Sequence, residues 1–334
     1  MPMTSATDTV VAAPSAYRFV DRNTCPVCMA STSQPLYVCG FAEEPLRSYL
    51  NSYYGAQRAQ ELDGHGYTLV KCTACQLVYQ RFIGDAEFLE RLYDQWLNAP
   101  TAASEADRAA SAQLARAGLT RDAHELMWVS HCLSKPLPEL NTLDYGMGFG
   151  IWARISRSLG CRSFGFDLSE TRMRAASEAG VKVLREEDFP ADSFDFINTE
   201  QAFEHVPAPR ELAKRLAASL KPGGILKICV PYGEDIEHRI ELGQWQAGQG
   251  SRHSLDPVAP LEYINCFKSE TLRRLAADLG LGFERPQILP QFAYLAHSGT
   301  WSLAAPSNLL KELSRPFQRR FSRRSLYVWL RLPT

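Results

Sequence analysis

The sequence predicts an α/β protein: a doubly wound, Rossmann-like sheet preceded by a small cysteine-bearing module and a helical linker. Three observations predict it. From Asn141 onward, short strand-like runs alternate with helical runs, the pattern of a parallel sheet covered by helices on both faces. The stretch "LDYGMGFG", Leu143–Gly150, spaces three glycines between the first of these strands and its helix, where an open α/β sheet meets its ligand. Ahead of the sheet stand two CxxC pairs, "CPVC" at 25–28 and "CTAC" at 72–75.

The bulk numbers bound the answer. With 334 residues the chain exceeds one typical domain, and 45% hydrophobic residues can fill a sizeable core. A net charge of −1 gives no global attraction to nucleic acid. Nine cysteines, an odd number without a disulfide-like framework, suit a reducing cytosol, so a cytoplasmic location is expected. The N-terminal "MPMTSATDTVVAAPS" lacks the basic and apolar parts of a signal peptide. No stretch has the roughly 20 apolar residues of a spanning helix.

In chain order, residues 1–16 are rich in Ser, Thr, Ala and Pro and are expected to be a disordered lead. Residues 17–82 form the cysteine module, with strand-like "YTLVKC". Residues 83–140 form a helical linker, in which "DAEFLERLYDQWL" puts Phe88, Leu89, Leu92 and Trp96 on one face. "KPLPEL" ends the helical region. Residues 141–334 hold the sheet. There "TLDY", "SFGFD", "VKVL", "FDFINTE" and "ILKICVP" are the expected strands. Ser169 is the expected N-cap of one helix and Gly180 its stop.

The glycine loop narrows the ligand. A dinucleotide fingerprint needs GxGxxG, but Ile151 follows Gly150, so the third glycine comes one residue early. No GK[ST] follows, which excludes a P-loop. Asp144, two residues before Gly146, would repel a pyrophosphate and suits a cationic ligand. Asp167 ends the next strand at close to the roughly 20-residue spacing of a carboxylate that grips ribose hydroxyls. A ribose, a positive charge and no phosphate chain describe S-adenosylmethionine.

At this point the chain resembles class I S-adenosylmethionine-dependent methyltransferases. The resemblance rests on "LDYGMGFG", "GFDLSE", "DSFDFINTEQAFEHVPAPRELAKRLAASLKPGGILKICVP" and "INCFKSETLRRLAADLG", and covers about residues 141–290. It implies that Asp144, Gly146, Gly148 and Gly150 meet the methionine end, and that Asp167, with Leu168 beside it, holds the ribose. It also implies an acid near the adenine amino group, for which Glu187 and Asp188 both stand as candidates. Glu200, at the end of the fourth strand, completes the expected cofactor set.

The cysteine pairs have their own chemistry. Each CxxC turn aims two thiolates at one point, and two such turns make a tetrahedral S₄ site for structural zinc. The expected ligands are Cys25, Cys28, Cys72 and Cys75; Cys39 and His65 are spares. Four thiolates leave no open position for catalysis. A zinc-ribbon-like module ahead of such a core resembles the zinc-containing methyltransferases of sugar and polysaccharide pathways. There "QLVYQRF" matches the strand that closes the ribbon.

Candidate catalytic residues follow the fourth strand in "AFEHVPAP". His205 can take a proton near neutral pH or can fix the loop by packing, and Glu204 can orient it or cap the loop. In "HSLDPVAPLEYINCF", Tyr263 stands where the family commonly has His, which weakens any two-histidine mechanism. Asn265 and His253 are expected substrate contacts or surface residues. The basic, aromatic C-terminal segment ends in "SLYVWLRL", an expected last strand after an exposed insertion. Peripheral membrane contact by that insertion is the lesser reading. The expected function is methylation of a small molecule, a sugar or nucleotide-linked sugar, at carbon or oxygen. The alternatives are O- or N-methylation of a secondary metabolite or quinone-like acceptor, and an inactive zinc-ribbon scaffold.

Overall fold

The computed structural model describes residues 17–97, 121–248, 251–297, 306–319 and 321–334. The expected disordered lead, and residues 98–120 of the expected linker, lie outside them.

The main sheet has seven strands. They are β6 (Asn141–Tyr145), β7 (Arg162–Phe166), β8 (Lys182–Val183), β9 (Phe194–Glu200), β10 (Leu220–Pro231), β12 (Gly282–Glu284) and β13 (Ser325–Arg331). Their spatial order is β12-β13-β10-β9-β6-β7-β8. β10, β9, β6, β7 and β8 run parallel, and β13 is antiparallel to both β10 and β12. The chain order reverses between β6 and β9, so a ligand crevice opens at their carboxyl ends.

The sheet is covered on both faces, as its apolar strands require. Leu143, Tyr145, Ile197 and Ile228 pack with Leu212 and Leu216 of α7 (Pro209–Ser219) and Leu272 and Leu275 of α9 (Ser269–Asp278). On the other face Phe196, Ile225 and Trp329 meet Leu126 and Trp128 of α4 (121–132) and Trp152 and Ile155 of α5 (Ile151–Ser158). Between them comes α6 (Glu170–Glu178), whose first turn is capped by the Ser169 hydroxyl accepting from Arg172 N. The remaining helices are α1 (Leu46–Tyr53), α2 (Arg58–Glu61), α3 (Ala86–Arg91), α8 (Ile236–Leu242), α10 (Ile288–Gln291), α11 (Ala293–His297) and α12 (Pro306–Gln318).

Two elements differ from expectation. The expected strand "ILKICVP" starts earlier: β10 begins at Leu220 and its register with β9 breaks before Ile225. A Cβ on Gly224 would fall 2.8 Å from Lys221 O, so the chain can bend there only without a side chain. The helix begun at Asp85 becomes a π-helix over Leu92–Leu97. Phe88, Leu92 and Trp96 are still buried, but the wider turn rotates Tyr93 toward the crevice.

The cysteine module is a second sheet, β2 (Ser33–Gly40), β3 (Gly66–Cys72) and β4 (Val78–Gln80). Its fourth strand, β11 (Asn265–Cys266), arrives from far along the chain and pairs antiparallel with β4. The expected ribbon-closing strand is split: β5 (Phe82–Gly84) leaves this sheet to pair with β1 (Phe19–Asp21). Cys25, Cys72, Cys75 and Leu77 lie in the same apolar cluster as Leu143 and Phe203. Arg22 crosses this seam: its guanidinium donates to Gln80 O at 2.7 Å, Ile264 O at 2.7 Å and Asn265 Oδ1 at 2.9 Å.

Arg22→Leu leaves these buried acceptors unpaired, each a loss of about 1–3 kcal/mol. Denaturant unfolding should show a destabilisation of about 3 kcal/mol or more, and an unchanged midpoint would refute the seam.

Candidate active site

β6 ends at Tyr145, and the chain turns through Gly146, Gly148 and Gly150 with φ of 73°, 56° and 72°. All three are left-handed, which glycine alone adopts without strain. The space is also closed: a Cβ on Gly150 would meet Val181 Cγ2 at 2.9 Å, and one on Gly146 would meet Ala202 Cβ at 3.0 Å. The amides of Gly146 and Met147 both donate to Phe166 O at 2.9 Å, tying the loop to the end of β7.

Asp167, buried at that strand end, is fixed from two sides. Gly148 N donates to Oδ2 at 2.8 Å and Ser169 N to Oδ1 at 3.0 Å. A carboxylate has about four acceptor sites, so each oxygen can still receive a ligand hydroxyl. Leu168 and Phe149, 73% and 60% exposed, flank the loop with apolar surface.

Asp144 sits deeper than expected. It is buried beneath the loop and Oδ1 accepts from Asn198 Nδ2 at 2.7 Å. Burial pushes its carboxyl up to about 7 against that hydrogen bond. That burial works against the fixed negative charge expected there for a cationic ligand. Glu187 and Asp188 lie in a 3₁₀ turn and are exposed. Their neighbour Glu186, which sequence reasoning passed over, accepts from Tyr145 Oη at 2.9 Å and from Arg215. Glu200 does not stand free for a ligand: Lys227 Nζ lies at 2.9 Å and Arg121 Nη2 at 3.0 Å. Burial would raise its carboxyl, but Lys227, Arg319 and Arg121 hold it at about 2.

His205 follows β9 in a short turn. Its Nδ1 lies 2.9 Å from Glu262 O, so Nδ1 carries the proton and Nε2 is the acceptor. Burial drops the imidazole to about 4, which leaves it neutral at cell pH. Tyr263 packs on it at 4.7 Å between centroids, and Tyr93 approaches edge-on at 6.1 Å. Glu204 is fully buried, 3.9 Å from His205 Nε2, and neither carboxyl oxygen has a hydrogen-bond partner among the described residues. Burial holds it well above the usual carboxylate range.

Sequence reasoning missed Glu262. Burial pushes its carboxyl up to about 7, and Tyr53 of α1 donates to it at 3.3 Å. An acid inside the apolar run "APLEYINCF" was the available signal. Tyr93 gave none, because the π-helix places it. Arg172 lies 3.9 Å from Asp167, and its charge is felt at His205, Glu262 and Tyr93. The glycine loop lies against the start of the His205 loop, where Gly146 faces Ala202. Asn265, expected as a substrate contact or a surface residue, is fully buried and its Nδ2 donates to Phe203 O and Val206 O. His253 is exposed.

The four cysteines of the module converge. Cys25 Sγ lies 3.5 Å from Cys75 Sγ, Cys28 Sγ lies 3.5 Å from Cys72 Sγ, and all four fall within 4.8 Å of one another. Zinc–thiolate bonds of about 2.3 Å put tetrahedral sulfurs roughly 3.8 Å apart, so the donor set fits that ion. Cys39 instead points its thiol at Gly40 O and Glu44 O, and His65 stacks on Phe19.

A glycine loop, a ribose-type carboxylate and the strand order β12-β13-β10-β9-β6-β7-β8 define a Rossmann-like methyltransferase fold. Residues 102–284 match the family described as a methyltransferase domain, and the chain belongs to it. It is an S-adenosylmethionine-dependent methyltransferase. The ubiquinone biosynthesis O-methyltransferase of Thiobacillus denitrificans is 34% identical over 170 residues, which span 48% of this chain and 71% of that protein. The protein of the same name from Chromobacterium violaceum is 28% identical, over 42% of this chain and 64% of its own length. Among solved structures, the plantazolicin methyltransferase BpumL bound to a desmethyl analogue and SAH is 17% identical with a TM-score of 0.45, covering 74% of this chain and 97% of that one. A Mesorhizobium loti S-adenosylmethionine-dependent methyltransferase is 20% identical with a TM-score of 0.38, covering 57% of this chain and 90% of its own.

Removing the Asp167 carboxylate should weaken S-adenosylmethionine by about 1.5–3 kcal/mol, the scale of a hydrogen bond to a charged group. Calorimetry on Asp167→Ala that finds unchanged affinity removes the ribose assignment. Metal analysis of purified protein should find about one zinc per chain, and Cys72→Ser should release it and lower stability. A metal-free protein that folds normally would exclude the zinc.

Proposed function

We propose that this enzyme O-methylates a small aromatic, quinol-like acceptor. The observation that carries the reading is His205 and Glu262 together: a neutral imidazole anchored on the Glu262 backbone carbonyl, and a Glu262 carboxyl, held by Tyr53, poised at about 7. Such a carboxyl suits removal of a phenolic proton near neutral pH. Tyr93 and Tyr263 give the crevice flat apolar walls, and the curated relatives are named ubiquinone biosynthesis O-methyltransferases.

Asp167, Leu168 and the amides around Gly146, Gly148 and Gly150 would hold S-adenosylmethionine, which when bound supplies an electrophilic methyl group on sulfur. The Glu262 carboxylate takes the acceptor's hydroxyl proton as the oxygen gains the methyl. His205 fixes the Glu262 backbone through Nδ1–H, and Tyr53 keeps the carboxylate aimed. Alignment does much of the remaining work. Zinc on Cys25, Cys28, Cys72 and Cys75 is structural. A sugar acceptor is the second reading, favoured by the four-cysteine module fused to the sheet.

A turnover screen over catechols, hydroquinones and nucleotide sugars, read by product mass, separates the two. The pH profile tests the base. A carboxylate must be deprotonated to accept a proton, so the rate should fall as pH drops through about 7. Glu262→Gln should abolish that limb and cut kcat by about 10²–10⁴ with cofactor affinity intact. His205→Asn should slow turnover but keep the limb. A limb near 4 that only His205→Asn removes would make His205 the base instead.

A further inference from the structure

β12 runs parallel to β10, so the chain between Glu284 and Ser325 leaves and re-enters the sheet at its carboxyl edge, the edge that carries the glycine loop. The longest element of that segment is α12. One side of it is pinned to the body of the protein. Glu312 Oε2 lies 3.3 Å from His124 Nε2, Pro316 is buried, and the following Arg319 pairs with Asp122 at 2.7 Å and Glu125 at 2.8 Å.

The other side is apolar and open to water. Leu309, Leu313 and Phe317 recur every four residues, with Leu310 beside them and Phe321 just past the helix. They are 39%, 40%, 40%, 69% and 72% exposed, in that order. Lys311, next to Leu310 in the chain, and Arg323 and Arg324, two and three residues past Phe321, are all exposed and without a carboxylate partner among the described residues. The one acid between Pro306 and Arg324 is Glu312, which faces inward, against six lysines and arginines.

We propose that α12 and the turn after it form a docking face for an anionic lipid bilayer. Leucines and phenylalanines on one face of a helix bordered by cations are the pattern of an interfacial helix. Charge complementarity selects the occupant. A second copy of this face would set like charges against each other with no exposed acid to relieve them. Anionic headgroups answer each cation and strengthen binding by about fivefold apiece. Because the segment sits at the ligand edge of the sheet, docking would turn the crevice toward the bilayer.

The test is co-sedimentation of the full chain with vesicles of mixed phosphatidylcholine and phosphatidylglycerol, against phosphatidylcholine alone. It needs no acceptor, so its failure is distinct from failure of the quinol reading. Wild type should bind the anionic vesicles and release in high salt. Arg323→Gln with Arg324→Gln should weaken binding about tenfold or more. Leu310→Glu with Phe321→Glu should abolish it, while Leu242→Glu, on α8 and not part of this face, should not. SAH affinity and thermal unfolding should stay unchanged in all variants, which separates docking from misfolding. Equal binding to neutral vesicles, binding indifferent to these variants, or a dimer that Leu310→Glu splits would overturn the proposal.

Discussion

The position of His205 rests on a guanidinium from the other end of the chain. Arg22 gathers the carbonyls of Gln80 and Ile264 and the amide oxygen of Asn265. Asn265 in turn donates to the carbonyls of Phe203 and Val206, on either side of His205. A buried arginine with matched acceptors is costly to misplace, because any displacement leaves several polar groups unpaired at once. The cysteine module is therefore a structural arm of the active site as well as a neighbouring fold. The strand β11, lent to its sheet, carries the residues that follow Glu262 and Tyr263.

Burial then sets the proton chemistry. Asp144, Glu204 and Glu262 are all raised by desolvation and His205 is lowered by it. The charged forms of these four groups are thus disfavoured where they stand. A site that handles a cationic donor and a neutral hydroxyl gains from this: a proton can move to a nearby carboxyl without a large change in field.

Charge is concentrated one layer away. Lys227, fully buried, bridges Glu125 and Glu200, and Arg319 bridges Glu125 and Asp122. Trp329 Nε1 also donates to Glu125. This network joins the sheet, α4 and the segment after α12, so the C-terminal insertion is anchored by hydrogen-bonded ion pairs on its inner side and leaves its apolar side free. Burying one partner alone would be strongly unfavourable, which makes the arrangement specific even where its net stabilisation is small.

Local rules settled much of this protein from the sequence alone. Alternating strand and helix runs set the doubly wound sheet, and glycine spacing with Asp167 marked the loop after β6 where the donor is proposed to bind, because backbone freedom and short-range spacing are written residue by residue. The two CxxC turns marked four thiols that do converge. The sequence could not set distances between parts of the chain far apart in order. That Glu262 lies beside His205, that Asn265 is fully buried, and that Glu200 is consumed by Lys227 and Arg121 were decided only by packing. So was the depth of Asp144, whose acidity depends on the desolvation that the tertiary structure alone imposes.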